Sequence, residues 1–134
     1  NLGYVTAYLK KYYQDTADLD FRLFKFPEEM IRAVRETPPN IIGLGNYTWN
    51  EQLNLEILRL CRKEFPSIVQ LMGGPNFNQF DKDRYFQQHP YLDYYVVNQG
   101  ETGFLNIIDR FVAGTLPHQT SETPVIDNVA YQPN

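Results

Sequence analysis

The apolar positions of this chain change period several times, and each change marks a new element. Over Leu2–Tyr13, Val5, Tyr8, Leu9 and Tyr12 recur at helical spacing and predict a helix. Leu19–Phe26, rich in Phe and Leu with Arg22 and Lys25 between them, predicts a strand. Pro27-Glu28-Glu29 then has the form of a helix start, with proline early and acids in the first turn, where they complement the helix dipole. That helix is expected to run to about Glu36 and to stop before Pro38-Pro39. Ile41–Gly45 is a short continuous apolar run, the pattern of a strand buried on both faces. Asn50 is placed to cap the next helix, whose stripe is Leu53, Ile57, Leu60 and Cys61 and which ends near Phe65-Pro66.

Ile68–Met72 repeats the buried-strand pattern and closes on Gly73-Gly74-Pro75. A weaker helical pattern covers Lys82–Gln88, and Leu92–Val97 reads as a further strand. Gly103–Ala113 predicts a helix with Phe104, Ile107, Ile108 and Phe111 facing inward and Gly114 as its C-cap. Residues 115–124 have loop composition, and Val125–Tyr131 reads as a last strand or as the start of a linker.

This alternation predicts an α/β fold: a three-layer, doubly wound parallel sheet in flavodoxin-like (Rossmann-like) order. Residues 1–124 would form the domain, and 125–134 a last strand or a linker. A doubly wound sheet begins with a strand, central in that order, whereas this chain begins with a helical pattern. The first strand is therefore expected to precede Asn1.

Composition narrows the function classes. The 134 residues carry a net charge of −4, with basic residues spread among acids, which argues against a nucleic-acid surface. No apolar run approaches the roughly 18 residues of a membrane span, and no signal peptide is recognisable, so a cytoplasmic location is expected. One cysteine, Cys61, excludes an internal disulfide and a cysteine-held iron–sulfur cluster within this chain; its place in a helical stripe suggests a buried, unreactive thiol. His89 and His118 have no neighbours at metal-ligand spacing and read as surface residues, so no metal ligand and no catalytic residue is assigned.

Ligands of open α/β sheets bind beyond the carboxyl ends of the strands. Three segments there are chemically distinctive. Gly45, Asn46, Tyr47, Thr48 and Trp49, ahead of Asn50, gather hydrogen-bonding and aromatic side chains where a strand becomes a helix. Gly73, Gly74, Pro75 and Asn76 offer two glycines past which a ligand could approach the backbone closely. Gln99, Gly100, Glu101 and Thr102, followed by Gly103, again lead a strand end into a helix. Each has a structural alternative: paired glycines also make tight turns, Asn50 also caps a helix, Glu101 also suits a helix N-terminus, and Trp49 also suits a core. If the glycines face a ligand, Gly74→Val should block binding and leave the fold intact.

Several stretches together resemble the N-terminal domain of cobalamin-dependent radical-SAM proteins, a group that includes methyltransferases and the anaerobic magnesium-protoporphyrin monomethyl ester cyclase. Leu2–Lys10 is similar to the family's "lGlgYlaayLk" helix, and Ile41–Asn50 to its strand ending in "Y-x-W-N". Met72–Pro75 is similar to its "GGP" turn, Tyr94–Phe104 to "D-y-v-v-x-G-E-g-e-x-x-F", and Val129–Tyr131 to the segment leading into the radical-SAM barrel.

The resemblance implies a cobalamin-binding domain of a larger radical-SAM enzyme, a methyltransferase or cyclase, that is not catalytic on its own. The [4Fe-4S] cluster and S-adenosylmethionine would belong to a following radical-SAM domain of the same polypeptide. The corrinoid would lie at the strand carboxyl edge, with Gly45-Asn46-Tyr47 where cobalamin folds use Ser-x-Leu and Gly73-Gly74 where they use their later glycine pair. The D-x-H-x-x-G motif of relatives with a histidine lower ligand is absent here; it either precedes Asn1 or is missing, as in many relatives. The alternative is a cobalamin-free Rossmann-like domain that recognises substrate or a neighbouring domain through the same edge. An apolar edge of Tyr47, Trp49, Pro75 and Phe77 would serve as the interface, and could drive self-association of the isolated chain.

Overall fold

The computed structural model describes residues 19–117 and 125–132. The helix expected over Leu2–Tyr13, most of the 115–124 loop and His118 lie outside the described residues. Helix α1 is Pro27–Glu36, opened by Pro27 with Glu28 and Glu29 in its first turn. It is followed by β1 (Ile41–Gly45), α2 (Glu51–Glu64), β2 (Val69–Gly73) and a 3-10 turn at Gln79–Asp81. Then come α3 (Lys82–Gln88), β3 (Tyr94–Val96), α4 (Gly100–Ala113) and β4 (Val129–Ala130).

The sheet runs β1-β2-β3-β4. β1, β2 and β3 are parallel, with Ile41 opposite Val69 and Leu71 opposite Tyr94. β4 pairs antiparallel with β3, so Val129–Ala130, within the last predicted segment, forms a strand of this sheet. The outcome is the expected α/β, flavodoxin-like arrangement, mostly rather than wholly parallel.

Strand alternation divides the core into two layers. Ile42, Leu44, Met72 and Tyr95 point to one face and meet Val34 of α1, Ile57, Leu58 and Cys61 of α2, and Phe86 of α3. Val69, Leu71, Tyr94 and Val96 point to the other and meet Ile107 of α4 with Leu116, Ile126 and Tyr131. Each large apolar side chain fully withdrawn from water, such as Leu58, Leu71 or Ile107, contributes about 1.5–3 kcal/mol. Burial pushes the Cys61 thiol up from its ordinary pKa, as expected of an unreactive core cysteine.

Three expectations are corrected. Leu19–Phe26 forms no strand, having no ladder partner among the described residues. The buried stripe of α2 is Asn54, Ile57, Leu58 and Cys61, whereas Leu53 and Leu60 face solvent, because an asparagine was passed over as a core residue. His89 is half-buried rather than on the surface: it packs against Tyr85, and its Nδ1 lies 3.0 Å from the Tyr91 hydroxyl.

At the amino-terminal end of the sheet Arg62 clamps three segments. Its guanidinium donates to the carbonyls of Pro66 (2.6 Å), Ile68 (3.1 Å) and Tyr91 (3.2 Å), and pairs with Asp93 at 2.5 Å. The same Asp93 oxygen accepts the Gln70 amide at 2.8 Å. Arg62→Ala should therefore lower stability by about 2 kcal/mol, more than an exposed ion pair is worth, because three carbonyls and a carboxylate lose their donor together. Urea unfolding tests this, and a change no greater than that of a surface substitution would contradict it.

Candidate functional site

Because β1, β2 and β3 are parallel, the segments after Gly45, Gly73 and Val96 all leave the same edge of the sheet. The three sequence-selected loops therefore lie along one edge. β1 ends where its Gly45 carbonyl, turned away from β2, accepts from the side chains of Asn50 (3.0 Å) and Asn54 (2.9 Å). Two asparagines one helical turn apart thus anchor the strand end to α2. Asn50 does not cap the helix with its side chain; its Oδ1 instead accepts the Tyr47 amide at 2.8 Å and fixes the turn.

Beneath the edge lies a polar network that sequence reasoning missed. Its hub is Glu51, at the first position of α2. The Glu51 Oε2 accepts from Asn46 Nδ2 (2.9 Å), Asn76 Nδ2 (2.8 Å) and the Tyr85 hydroxyl (3.3 Å). Tyr95, fully buried, donates to the Gly74 carbonyl at 3.0 Å and receives Asn46 Nδ2 at 3.2 Å. Asn46 is also fully buried. In the sequence Glu51 looks like an ordinary first-turn acid; the available signal was Asn46 and Asn76, two side-chain amide donors placed just after successive strands.

Burial raises the proton affinity of the phenols in the network. Burial lifts the Tyr95 hydroxyl to about 12; the bond from Asn46 opposes the rise and the charge of Glu51 adds to it. Burial, then the Glu51 charge, raises Tyr85 as well. The folded protein holds these protons more tightly than the unfolded chain does. Their contribution is complete below the ordinary tyrosine value of 10.0 and is lost as pH rises through about 12 for Tyr95. Melting temperature should fall steeply over that alkaline window, and Tyr95→Phe should flatten the fall. An unchanged slope in the variant would contradict the assignment.

The paired glycines serve packing. Gly74 has φ +135, a region other residues rarely adopt, and a Cβ there would fall inside the van der Waals envelope of the Asn46 carbonyl oxygen. A Cβ on Gly73 would come within 3.3 Å of Val96. Gly74 lets the 73–76 turn lie on the 45–50 turn, and Gly73 leaves room for Val96 of β3. At the third loop, Thr102 Oγ1 bonds Gln99 Oε1 at 3.3 Å, and α4 begins at Gly100, with Glu101 in its first turn. A Cβ on Gly103 would come within 2.6 Å of both Val96 and the Asn128 carbonyl, so Gly103 lets α4 seat on the sheet.

Above this frame the edge is open and aromatic. Tyr47 and Trp49 stack with ring centroids 4.8 Å apart and planes 4° from parallel. Trp49 is 82 % exposed, so it is not a core residue, and Thr48, Gly74, Pro75 and Gln99 are exposed in the loops of the same edge. Phe77, by contrast, turns inward and stacks on Tyr95 at 4.0 Å; Phe80 on the 3-10 turn is the fully exposed aromatic of that loop. The side chains of Asn46 and Asn76 are committed to the network, which leaves the Tyr47–Trp49 face, the Gly74-Pro75 backbone and the start of α4 for a ligand. Among the described residues no histidine lies on this edge, since His89 precedes β3 at the opposite end, and no cluster of metal-ligating side chains occurs. No helix among the described residues is long and apolar enough to cross a membrane.

No protein-family model matches the chain. It is 30 % identical over 90 residues to the 2-(S-pantetheinyl)-carbapenam-3-carboxylate methyltransferase of Streptantibioticus cattleyicolor, covering 63 % of this chain and 13 % of that enzyme. It is 24 % identical over 90 residues, with the same coverage, to the cobalamin-dependent radical SAM methyltransferase TokK of Streptomyces tokunonensis. The chain thus spans about an eighth of the length of these curated relatives, and its resemblance to cobalamin-dependent radical-SAM proteins rests on comparison as well as on motifs.

Proposed function

We propose that this chain is the cobalamin-binding domain of a larger radical-SAM methyltransferase and that it holds the corrinoid against the strand carboxyl edge. The observation that carries the reading is the Tyr47–Trp49 stack: a tryptophan 82 % exposed, held flat by a partner ring, on the edge where open α/β sheets bind ligands. Similarity to methyltransferases, one of them named as cobalamin-dependent, supports the choice of ligand.

In this reading each loop has a distinct task. Tyr47 and Trp49 offer an apolar plane to the corrin, and Thr48 a hydroxyl at its rim. Gly74 and Pro75 form the opposite lip, with Asn76 and Asn46 holding the two lips together through Glu51. Gln99, Gly100, Glu101 and Thr102 bring the unpaired backbone amides of a helix start to polar groups at the ligand's periphery. Bound cobalamin would supply a methyl or electron carrier. The cluster and S-adenosylmethionine would be held by a following domain of the same polypeptide, which the exposed Trp49 and Phe80 would also help to dock.

Titration of the full-length polypeptide with hydroxocobalamin, followed by visible absorption, tests the proposal. Saturable binding is expected, weakened about tenfold or more by Trp49→Ala, since stacking on one aromatic ring is worth about 1–3 kcal/mol. No binding by the unsubstituted protein would overturn the reading in favour of a cobalamin-free recognition domain.

A further inference from the structure

The third loop of the candidate edge, Gln99–Thr102, is held at both ends by a segment far from it in sequence. Ile126–Val129 forms a tight turn, closed by the Val129 amide donating to the Ile126 carbonyl at 3.1 Å. Asn128, the third residue of that turn, has φ +60. A turn of this form calls for a residue that tolerates the left-handed region at its third position, normally Gly or Asn. The backbone conformation there sets where the Asn128 carbonyl points. Its oxygen accepts the Val97 amide at 2.8 Å, where the chain leaves β3. The same oxygen would lie 2.6 Å from a Cβ on Gly103, where the chain has entered α4. One carbonyl therefore meets both residues that bracket the loop. The neighbouring peptide is fixed as well, since Asn106 Nδ2 of α4 donates to the Asp127 carbonyl at 3.0 Å.

Backbone strain gathers at the same place. Among the described residues, the non-glycine residues with positive φ are Asn98, at +56, and Asn128. Asn98 opens the loop, and Asn128 holds its two ends. Both lie outside the Tyr95–Ala130 and Val96–Val129 pairs, so the β3–β4 ladder does not itself demand them. Such conformations carry a cost and persist where the surroundings impose them, often at functional sites. Asn98 is also tied towards the second loop, because Gln79 Nε2 of the 3-10 turn donates to its Oδ1 at 3.4 Å.

We propose that Asn128 is a positioning residue of the candidate site: acting through the loop rather than on the ligand, it places Gln99–Thr102 at the edge by holding Val97 and Gly103 on one carbonyl. Its effect on ligand binding rests on the reading of that edge as the corrinoid surface, whereas its hold on the loop does not. Within the loop, the Gly103 amide donates to the Gln99 carbonyl at 3.0 Å, so Gln99 and Gly103 move together. A substitution that resists positive φ at position 128 should therefore displace this one wall of the site. The 45–50 and 73–76 turns, tied to each other through Glu51, should stay in place. Asn128→Val brings in a β-branched side chain, for which that φ is strained. Asn128→Gly removes the side chain and adopts the same φ freely.

The full-length polypeptide and these two variants are compared by amide hydrogen exchange without ligand and by titration with hydroxocobalamin. In Asn128→Val, exchange at Val97 and Gly103 is expected to accelerate about tenfold or more, with no change at Asn46 and Asn54. Affinity for hydroxocobalamin is expected to fall about fivefold or more in the same variant. Asn128→Gly should return both readings to within about twofold of the unsubstituted protein, because the backbone conformation, not the side chain, does the holding. Asn128→Ala, which is strained less, carries the same comparison if the valine variant does not fold. Equal losses in the glycine and valine variants, or acceleration spread evenly over the sheet, would overturn the positioning role. The two readings fail separately: no binding by the unsubstituted protein sinks the choice of ligand, whereas unaltered exchange at Val97 and Gly103 in Asn128→Val sinks the positioning role whatever the ligand.

Discussion

Gly74→Val is expected to lower the melting temperature by on the order of 15 °C, whether or not a ligand is present. Gly74 sits at φ +135, where a β-branched residue is strained, and the new Cβ would collide with the backbone of Asn46. Neither conflict is relieved by a side-chain rotation. Relief requires the 73–76 turn to lift from the 45–50 turn, and that separates Asn76 and the Gly74 carbonyl from Glu51 and Tyr95. The combined loss is about 3 kcal/mol, near the upper range of single substitutions. The sequence alone leads to an intact fold for this variant; the contact of Gly74 with the Asn46 backbone argues against that part of the expectation. A variant that melts like the unsubstituted protein would contradict the packing role of Gly74.

Glu51→Ala comes next in size. Removing the carboxylate takes the common acceptor from Asn46, Asn76 and Tyr85 at once, and fully buried Asn46 keeps only the longer bonds to the Tyr95 hydroxyl and the Asn76 carbonyl. A cost of about 3 kcal/mol follows, since stranding buried donors costs more than a bond is worth on balance. Glu51→Gln keeps the shape and one acceptor but adds a donor among donors, and should cost roughly half as much. A double-mutant cycle between Glu51→Ala and Asn76→Ala should give a coupling of about 1 kcal/mol or more. Additive losses would mean that the two loops are held independently.

The sequence made some parts of this molecule legible and hid others for physical reasons. Pro27-Glu28-Glu29, the Ile41–Gly45 run and the Gly114 cap each speak through local chemistry, and the structure has them as read. The Leu19–Phe26 strand has the right residues, but a strand exists only with a partner, and no local signal reports one. Phe77 and Phe80 are indistinguishable by type; the 3-10 turn, held by Asn78 accepting the Phe80 amide, sends one inward and the other out. The candidate edge was legible because parallel strands bring successive loops together. Glu51 was not, because two of its three donors, Asn76 and Tyr85, are distant in sequence and only the fold brings them to it beside Asn46.

In the proposed function the corrinoid lies on the edge formed by the 45–50, 73–76 and 99–102 loops. The most direct test of that placement is the hydrogen-exchange footprint of hydroxocobalamin on the full-length polypeptide. The account predicts slower exchange at Tyr47–Asn50, Gly74–Asn76 and Gly100–Thr102, and little change at Arg62 or His89 at the opposite end of the sheet. Protection confined to other surfaces, with those three loops unchanged, would contradict it.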